Sequence, residues 1–545
     1  MYGNIFIIGR RRKKEPAMET EKLQINRKLS SVSARCAATL VTVFVLMFGA
    51  ASAIAEPATG AKKIVTSTAD HRQFDALKTK FSSGPEVTRA CLQCHTEAAK
   101  QIHATKHWTW EFKNPATGQQ LGKKHVVNNF CIGTASNIAA CASCHVGYGW
   151  KDKGFDFSSQ ENVDCLVCHD TTGTYTKDPK HKKPNFSKVA RNVGTTSRAS
   201  CGACHFKGGG GIAVKHGDLD PTLIQPDMFV DVHMDSDGLN FNCATCHRGD
   251  KHSIAGSRYA PKAADTHGID VPGRTDDSRA SCRSCHGDAP HVATAKLNDH
   301  TKKIACQTCH IPAYSRGDYA SKEWWDWSTA GRTGPNKTPL SKADAKGNEI
   351  YNSKKGDFIW RDNVVPEYVW FNGTVDYTLL GDRIDPKGIV AINRFHGSAD
   401  DPNSRIWPVK VMRGKQPYDK VNLTLAVPHT TGADGYWKTF EWKPALAKGM
   451  AAAGVPFSGE YGFVETTMLW PINHMVAPKE EALGCVDCHA KGGRLEKVTG
   501  VYIPGRDSLR YLDMGGLALI LMTLAGVIGH GVMRWVFKIR RARAS

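Results

Sequence analysis

The stretch Asn128–His145, "NNFCIGTASNIAACASCH", closes on Cys141, Cys144 and His145, a C-x-x-C-H run. Two thiols at this spacing form thioethers to the vinyl groups of a haem, and the adjacent histidine is placed to ligate the iron. The same run recurs at Cys91, Cys94 and His95; Cys165, Cys168 and His169; and Cys201, Cys204 and His205. It appears again at Cys243, Cys246 and His247; Cys282, Cys285 and His286; Cys306, Cys309 and His310; and Cys485, Cys488 and His489. A chain with these cysteine and histidine frequencies would hold roughly 0.03 copies by chance. Eight copies therefore mean eight covalently bound c-type haems. Zinc is the alternative for C-x-x-C with histidine, but four-ligand zinc sites need paired knuckles. An unbroken series of C-H endings does not supply them.

The motifs use 16 of the 18 cysteines and leave Cys36 and Cys131. Cys131 stands ten residues before Cys141 with no disulfide partner in an exported chain. Such a thiol is either buried and inert or reactive. Nearby Lys123, Lys124 and His125 favour a thiolate and attract anions.

The first seven motifs start 50, 24, 36, 42, 39 and 24 residues apart, and the eighth follows after 179. Segments this short cannot build separate cores, so the haems must pack together as the interior of one body. The expected fold is a mainly α and irregular multihaem cytochrome c, with short helices such as "TEAAKQIHATKHW" and long connections. Residues 311–484 carry no motif but hold nine of the thirteen tryptophans. There "DFIWRD", "EYVWFN" and "IWPVKVM" predict short strands, and "EWKPALAKGMAAAG" predicts a helix ended by Gly454. This aromatic stretch either fills a core or wraps the haems and shapes a channel.

The formal charge of +20 does not signal nucleic acid. Residues 1–55 contribute +6 and the tail from Arg534 contributes +5, leaving +9 for the body. Each haem brings two propionate carboxylates that this excess balances, and no nucleic-acid motif is present. Residues 1–55 read as a secretory signal: basic residues, the apolar run "CAATLVTVFVLMFGA", then "ASAIA". The long basic region makes Met18 an alternative start, and Cys36 leaves with the peptide. Residues 56–510 form the octahaem periplasmic domain, and 511–545 a membrane anchor with a basic cytoplasmic tail. Met514–Met533 has twenty residues without a charge, enough to span a bilayer, and the following basic residues mark the cytoplasmic side. His530, near the end of that span, is either an interfacial residue or a contact to a membrane haem or quinone.

Eight histidines belong to the motifs and 15 remain. A haem with two histidine ligands only carries electrons, whereas catalysis needs an open or weakly held position. The expected distal ligands are His107, His216, His233, His252, His291, His300 and His474, with His125 in reserve. His71, His103, His181, His267, His396 and His429 are expected at the surface or in supporting roles.

The combination "CIGTASN…CASCHVGYGW", "VDCLVCHDTTGTY", "VKHGDLD", "ACQTCHIPAY" and "NHMVAP…CVDCHA" resembles the octahaem tetrathionate reductase family, over about residues 85–490. The resemblance implies one catalytic haem with a lysine on its iron and a cysteine nearby. Carried over, these are the haem on Cys141 and Cys144 with His145, then Lys215 in "VKHGDLD", then Cys131. On its own terms Lys215 is one of 72 basic residues, and adjacent His216 is the more ordinary ligand. A buried lysine can nevertheless lose its proton and offer a lone pair. The resemblance implies reduction of tetrathionate, nitrite or hydroxylamine, small species that suit a positively lined pocket. The donor is then a quinol-oxidising protein or another cytochrome, and assembly of identical chains is left open. Two rival functions stand beside it. One is a non-catalytic cytochrome linking a quinol pool to partners. The other is hydroxylamine oxidation, which in a related octahaem family needs a cross-linked tyrosine, here only Tyr502 or Tyr511. Octahaem nitrite reductases carry one C-x-x-C-K motif, and this chain has none.

Overall fold

A C-x-x-C-H run wound into one helical turn puts its two cysteines three residues apart on one face, with the histidine one turn on. The structure, a computed structural model, winds most of the motifs this way. Examples are the short helices Leu166–His169, Arg198–His205, Cys243–Cys246, Arg283–His286, Cys306–His310 and Cys485–Cys488. It describes residues 69–130, 132–177, 181–208, 210–257 and 280–545. The signal segment, Met18, Cys36, Cys131 and His267 lie outside them.

Long hydrogen-bonded loops join these turns. In Arg198–His205 the Ser197 hydroxyl caps the Ser200 N–H, fixing where the helix begins. The buried Arg198 guanidinium then donates to the carbonyls of Ile224, Met234 and Phe241, tying the loops before the Cys243 motif to this helix.

The motif-free region forms more sheet than its sequence suggests. Among the described residues it builds a nine-stranded sheet. Along it run Val390–Ala391, Tyr461–Pro471, Arg405–Asp419, Ser321–Asp326, Gly356–Arg361, Glu349–Asn352 and Ser341–Ala343. Glu367–Phe371 and Thr424–Leu425 also pair with Arg405–Asp419. Arg405–Asp419 is antiparallel to Tyr461–Pro471, from Val409 opposite Pro471 to Asp419 opposite Tyr461, and parallel to Ser321–Asp326. Trp325, Trp327, Trp407, Trp442 and Trp470 are buried in one apolar core with Phe130, Met412 and Met468. The aromatic stretch is therefore a packed core. Helix Trp442–Ala453 lies against it and stops at Gly454, whose φ of 76° favours glycine.

Lys410, at the middle of this sheet, is fully buried. Its ammonium donates to the Val214 carbonyl at 3.2 Å and to the Ser321 hydroxyl, and lies 3.7 Å from Glu323. Burial pushes its pKa down to about 8 against the pull of Glu323. Lys410→Met would leave Glu323 and the Val214 carbonyl without this partner. The expected cost is about 3 kcal/mol, the range for breaking one side of a buried pair. Denaturant unfolding followed by circular dichroism should show it as a lower midpoint.

At the C-terminus Arg510–Ala544 is one 35-residue helix with none of its residues buried. It is long and apolar enough to cross a membrane.

Candidate redox site

The motif histidines meet a second imidazole in seven cases. Ring centres are 6.3 Å apart for His71 and His95, 6.2 Å for His107 and His205, and 6.5 Å for His169 and His252. They are 6.0 Å apart for His247 and His474 and 5.9 Å for His233 and His286. The last two pairs, His291 with His310 and His300 with His489, are at 6.0 and 6.2 Å. Two imidazoles on opposite sides of one iron, with metal–nitrogen bonds of about 2 Å, place their ring centres roughly 6 Å apart. The spacing fits haem.

The outer nitrogens agree. Nδ1 of His169 donates to the Gly194 carbonyl at 2.8 Å, that of His247 to Ala255 at 3.0 Å and that of His489 to Pro504 at 3.0 Å. Nδ1 of His252 meets the Gln101 side-chain oxygen, that of His291 the Asn298 oxygen, that of His300 the Lys296 carbonyl and that of His474 the Asp218 carboxylate. A proton held at Nδ1 leaves the Nε2 lone pair aimed at the partner ring, the usual arrangement of a metal-bound histidine.

His145 reverses this arrangement. Its Nε2–H donates to the Trp108 carbonyl at 2.6 Å, and its Nδ1 is buried without a hydrogen-bond partner. The ring sits in a box of Trp108, Trp110, Trp150, Phe155 and Phe157, with centroid distances of 4.7–5.9 Å. A side chain at Gly147 would come within 2.8 Å of both His145 and Trp108, so the box closes only around glycine. Burial pushes the His145 pKa down to about 4, which keeps the ring neutral. The Nε2 of His145, expected to ligate iron, is engaged by the Trp108 backbone carbonyl.

Lysines gather around this motif. Lys215 is 6% exposed, and both it and Lys123 lie close enough to act electrostatically on Cys144. Lys177 donates to the carbonyls of His145 and Gly147 and lies 3.5 Å from buried Asp164. Lys123 covers the Trp110 ring at 4.4 Å and Lys124 the Phe157 ring at 4.0 Å. Glu111 offsets part of this charge, at 3.0 Å from Lys124 and 3.5 Å from His125.

The sheet holds the loop beside this motif. Asn129 donates to the Met412 carbonyl at 2.8 Å, and Asn137 donates to the Pro428 carbonyl and accepts from Thr430. His429 donates from Nδ1 to the Ser136 carbonyl at 2.9 Å. These bonds span nearly 300 residues of sequence and give the motif-free region a role at the site.

Two ligand expectations change. His71, expected at the surface, faces His95. His216, expected as a distal ligand, packs edge-on against Trp470 at 4.6 Å. His71 lies in the polar lead-in before the first motif, where nothing local distinguishes "DHRQF". Its outward turn is set by Asp70, whose carboxylate caps the Arg72 N–H. Of the remaining histidines, His103 stacks on Trp108 at 4.5 Å, His396 bonds Asp376 and His181 is exposed. His71→Ala should turn one low-spin haem high-spin in the EPR spectrum.

The motifs also adjoin one another. The Cys91 and Cys165 thiols lie near one another, as do those of Cys144 and Cys204 and those of Cys201 and Cys243. Cys309 lies near Cys485 and Cys488. The segment carrying His474 bonds the Cys306 motif, from Gln307 to Asn473 and from Ala477 to the His310 carbonyl. Contacts therefore run from the Cys485 motif through Cys306, His474 with His247, and Cys201 to Cys141.

Comparison with known proteins gives the same picture. The family described as "Cytochrome c bacterial" matches residues 322–492, and "Cytochrome c554 and c-prime" matches 66–170. An uncharacterised protein of Archaeoglobus fulgidus is 24% identical over 226 residues, 31% of this chain and 75% of that one. The crystal structure of octaheme cytochrome c from Shewanella oneidensis is 44% identical, with a TM-score of 0.70. The match covers 78% of this chain and 95% of that chain.

Proposed function

Since the chain belongs to the octahaem c-type cytochromes of the tetrathionate reductase type, with covalently bound haem c, we propose that it is a periplasmic reductase of a small substrate. Electrons pass along eight haems to the one on Cys141 and Cys144, where tetrathionate, nitrite or hydroxylamine is reduced. One observation carries this reading: seven motif histidines face a second imidazole, whereas His145 gives its Nε2–H to the Trp108 carbonyl in a setting rich in lysines. The haem supplies a redox iron that takes and releases one electron at a time.

The chain's own residues do the rest. Lys215, buried near Cys144, would be the nitrogen ligand that distinguishes the haem held there and would give way to substrate. Lys123 and Lys177 lend the site positive charge, which draws an anion towards it. Neutral His145 in its aromatic box holds the Trp108 carbonyl and keeps water out from that side. Cys131 serves tetrathionate alone. Its thiolate attacks the central sulfur–sulfur bond and expels one thiosulfate, leaving a cysteinyl thiosulfate. Two electrons then release the second thiosulfate and restore the thiolate. The haem body stands outside the cytoplasm behind a cleaved signal, held to the membrane by Arg510–Ala544, with a quinol-oxidising protein or a cytochrome as donor.

Steady-state assays of the purified protein with reduced methyl viologen and each of the three acceptors test this. Turnover with at least one acceptor is expected. Haems that reduce fully but pass no electrons to any acceptor would leave a carrier linking the quinol pool to partners.

A further inference from the structure

The last motif and the C-terminal helix are joined by residues 490–509, and this connection is strapped to the body. Nδ1 of His489 donates to the Pro504 carbonyl at 3.0 Å, and Gly505 passes so close that a side chain there would come within 2.2 Å of the His489 carbonyl oxygen. The Arg506 guanidinium gathers the carbonyls of Leu495, Val498 and Val501 and pairs with Asp507. Trp370 donates to the Thr499 carbonyl and Arg494 to that of Pro312. Leu495, Val498 and Ile503 are buried with Cys488 and Ile406. The connection is thus part of the fold, and it ends where the apolar helix begins.

Distance follows from this. Arg510 is six steps along the chain from Pro504, which touches His489. Fully extended, these steps span at most about 20 Å. The Cys485 motif is therefore held within that reach of the start of the helix. On this side Val486 is 76% exposed and Tyr511 91% exposed, beside Tyr502 and Leu509, a set suited to a bilayer interface. The other end of the motif path, at Cys141, is where the lysines gather.

We propose that the haem of Cys485 and Cys488 is the electron port, loaded at the membrane surface by a lipid-confined reductant. The inference rests on the reading of Arg510–Ala544 as a membrane anchor. Each donor molecule loses one electron, one ferric iron gains it, and no proton moves. The electron leaves towards Cys309 and the Cys306 motif.

The test uses the full-length protein in vesicles with two reductants of the same chemistry. Reduced hexadecyl viologen stays in the bilayer, while reduced methyl viologen is water-soluble and reaches every haem. Cys485→Ala combined with Cys488→Ala should lower the intact mass by one haem. Reduction of the remaining haems by hexadecyl viologen should slow at least tenfold. A second variant alters no haem site: four EAAAK repeats inserted between Leu509 and Arg510 move the body about 30 Å from the bilayer if helical. With all its haems present it should show a selective slowing, the same loss of rate with hexadecyl viologen and a methyl viologen rate within twofold of wild type. Unchanged hexadecyl viologen rates in the spacer variant would overturn the proposal. Flotation separates the two readings: wild-type protein that fails to float with vesicles refutes the anchor and the port together. Protein that floats yet shows no selective slowing refutes the port alone.

Discussion

Replacing Lys215 with leucine should change the EPR signal of one haem, create one high-spin iron and leave the seven bis-histidine signals as they were. Turnover with every acceptor should fall on the order of 100-fold, a loss of roughly 2.7 kcal/mol of transition-state stabilisation. The reasoning starts from burial. Lys215 is 6% exposed and acts on Cys144, so its side chain ends near this haem attachment. The Nε2 of the motif's own histidine is bonded to the Trp108 carbonyl. A buried lysine that loses its proton can supply a ligand nitrogen here. Lys215→Arg should fail as leucine does, because a guanidinium keeps its proton and has no lone pair to give. If all signals in the leucine variant matched wild type, Lys215 would be an electrostatic residue and not a ligand.

Cys131→Ala should remove most tetrathionate turnover, by about 100-fold or more, and spare much of the nitrite activity. The two acceptors differ in the bond that must break. Tetrathionate has a sulfur–sulfur bond open to thiolate attack, and expelling thiosulfate needs a nucleophile that later lets go. Nitrite carries no such bond and has no use for the thiol. Parallel kcat and KM measurements with both acceptors separate the cases. Equal loss of both activities would make Cys131 a structural part of the pocket, and no loss of either would make it an inert core residue.

The haem motifs, the short helices that carry them and the apolar C-terminal helix were legible in the sequence, because each follows from local spacing or from unbroken apolarity. The sheet was only partly so. "IWPVKVM" reads as a short strand, whereas Arg405–Asp419 runs on for 15 residues through Gln416 and Pro417. Within it Lys410 is held by the Val214 carbonyl and Ser321, partners far off in sequence that no local pattern records. Distal histidines sit between these extremes. His252, His291, His300 and His474 stand in tight polar contexts near motifs, and the structure sets each opposite a motif histidine. His216 shares that context, yet its ring turns to Trp470, and the ring opposite His95 comes from the featureless segment around His71. Pairing two rings across roughly 6 Å depends on where whole segments meet, which no local pattern records. The reversal of His145 was hidden for the same reason. Its box draws Trp108 and Trp110 from one side of the motif and Trp150, Phe155 and Phe157 from the other.

The central claim is that one haem of eight is ligated differently from the rest, and near-infrared magnetic circular dichroism of the oxidised, unmodified protein tests it most directly. Each low-spin ferric haem gives a charge-transfer band whose energy reports its two axial ligands. The account predicts intensity for seven bis-imidazole haems and one separate contribution that is lost in Lys215→Leu. Eight bis-imidazole haems and no separate contribution would contradict it.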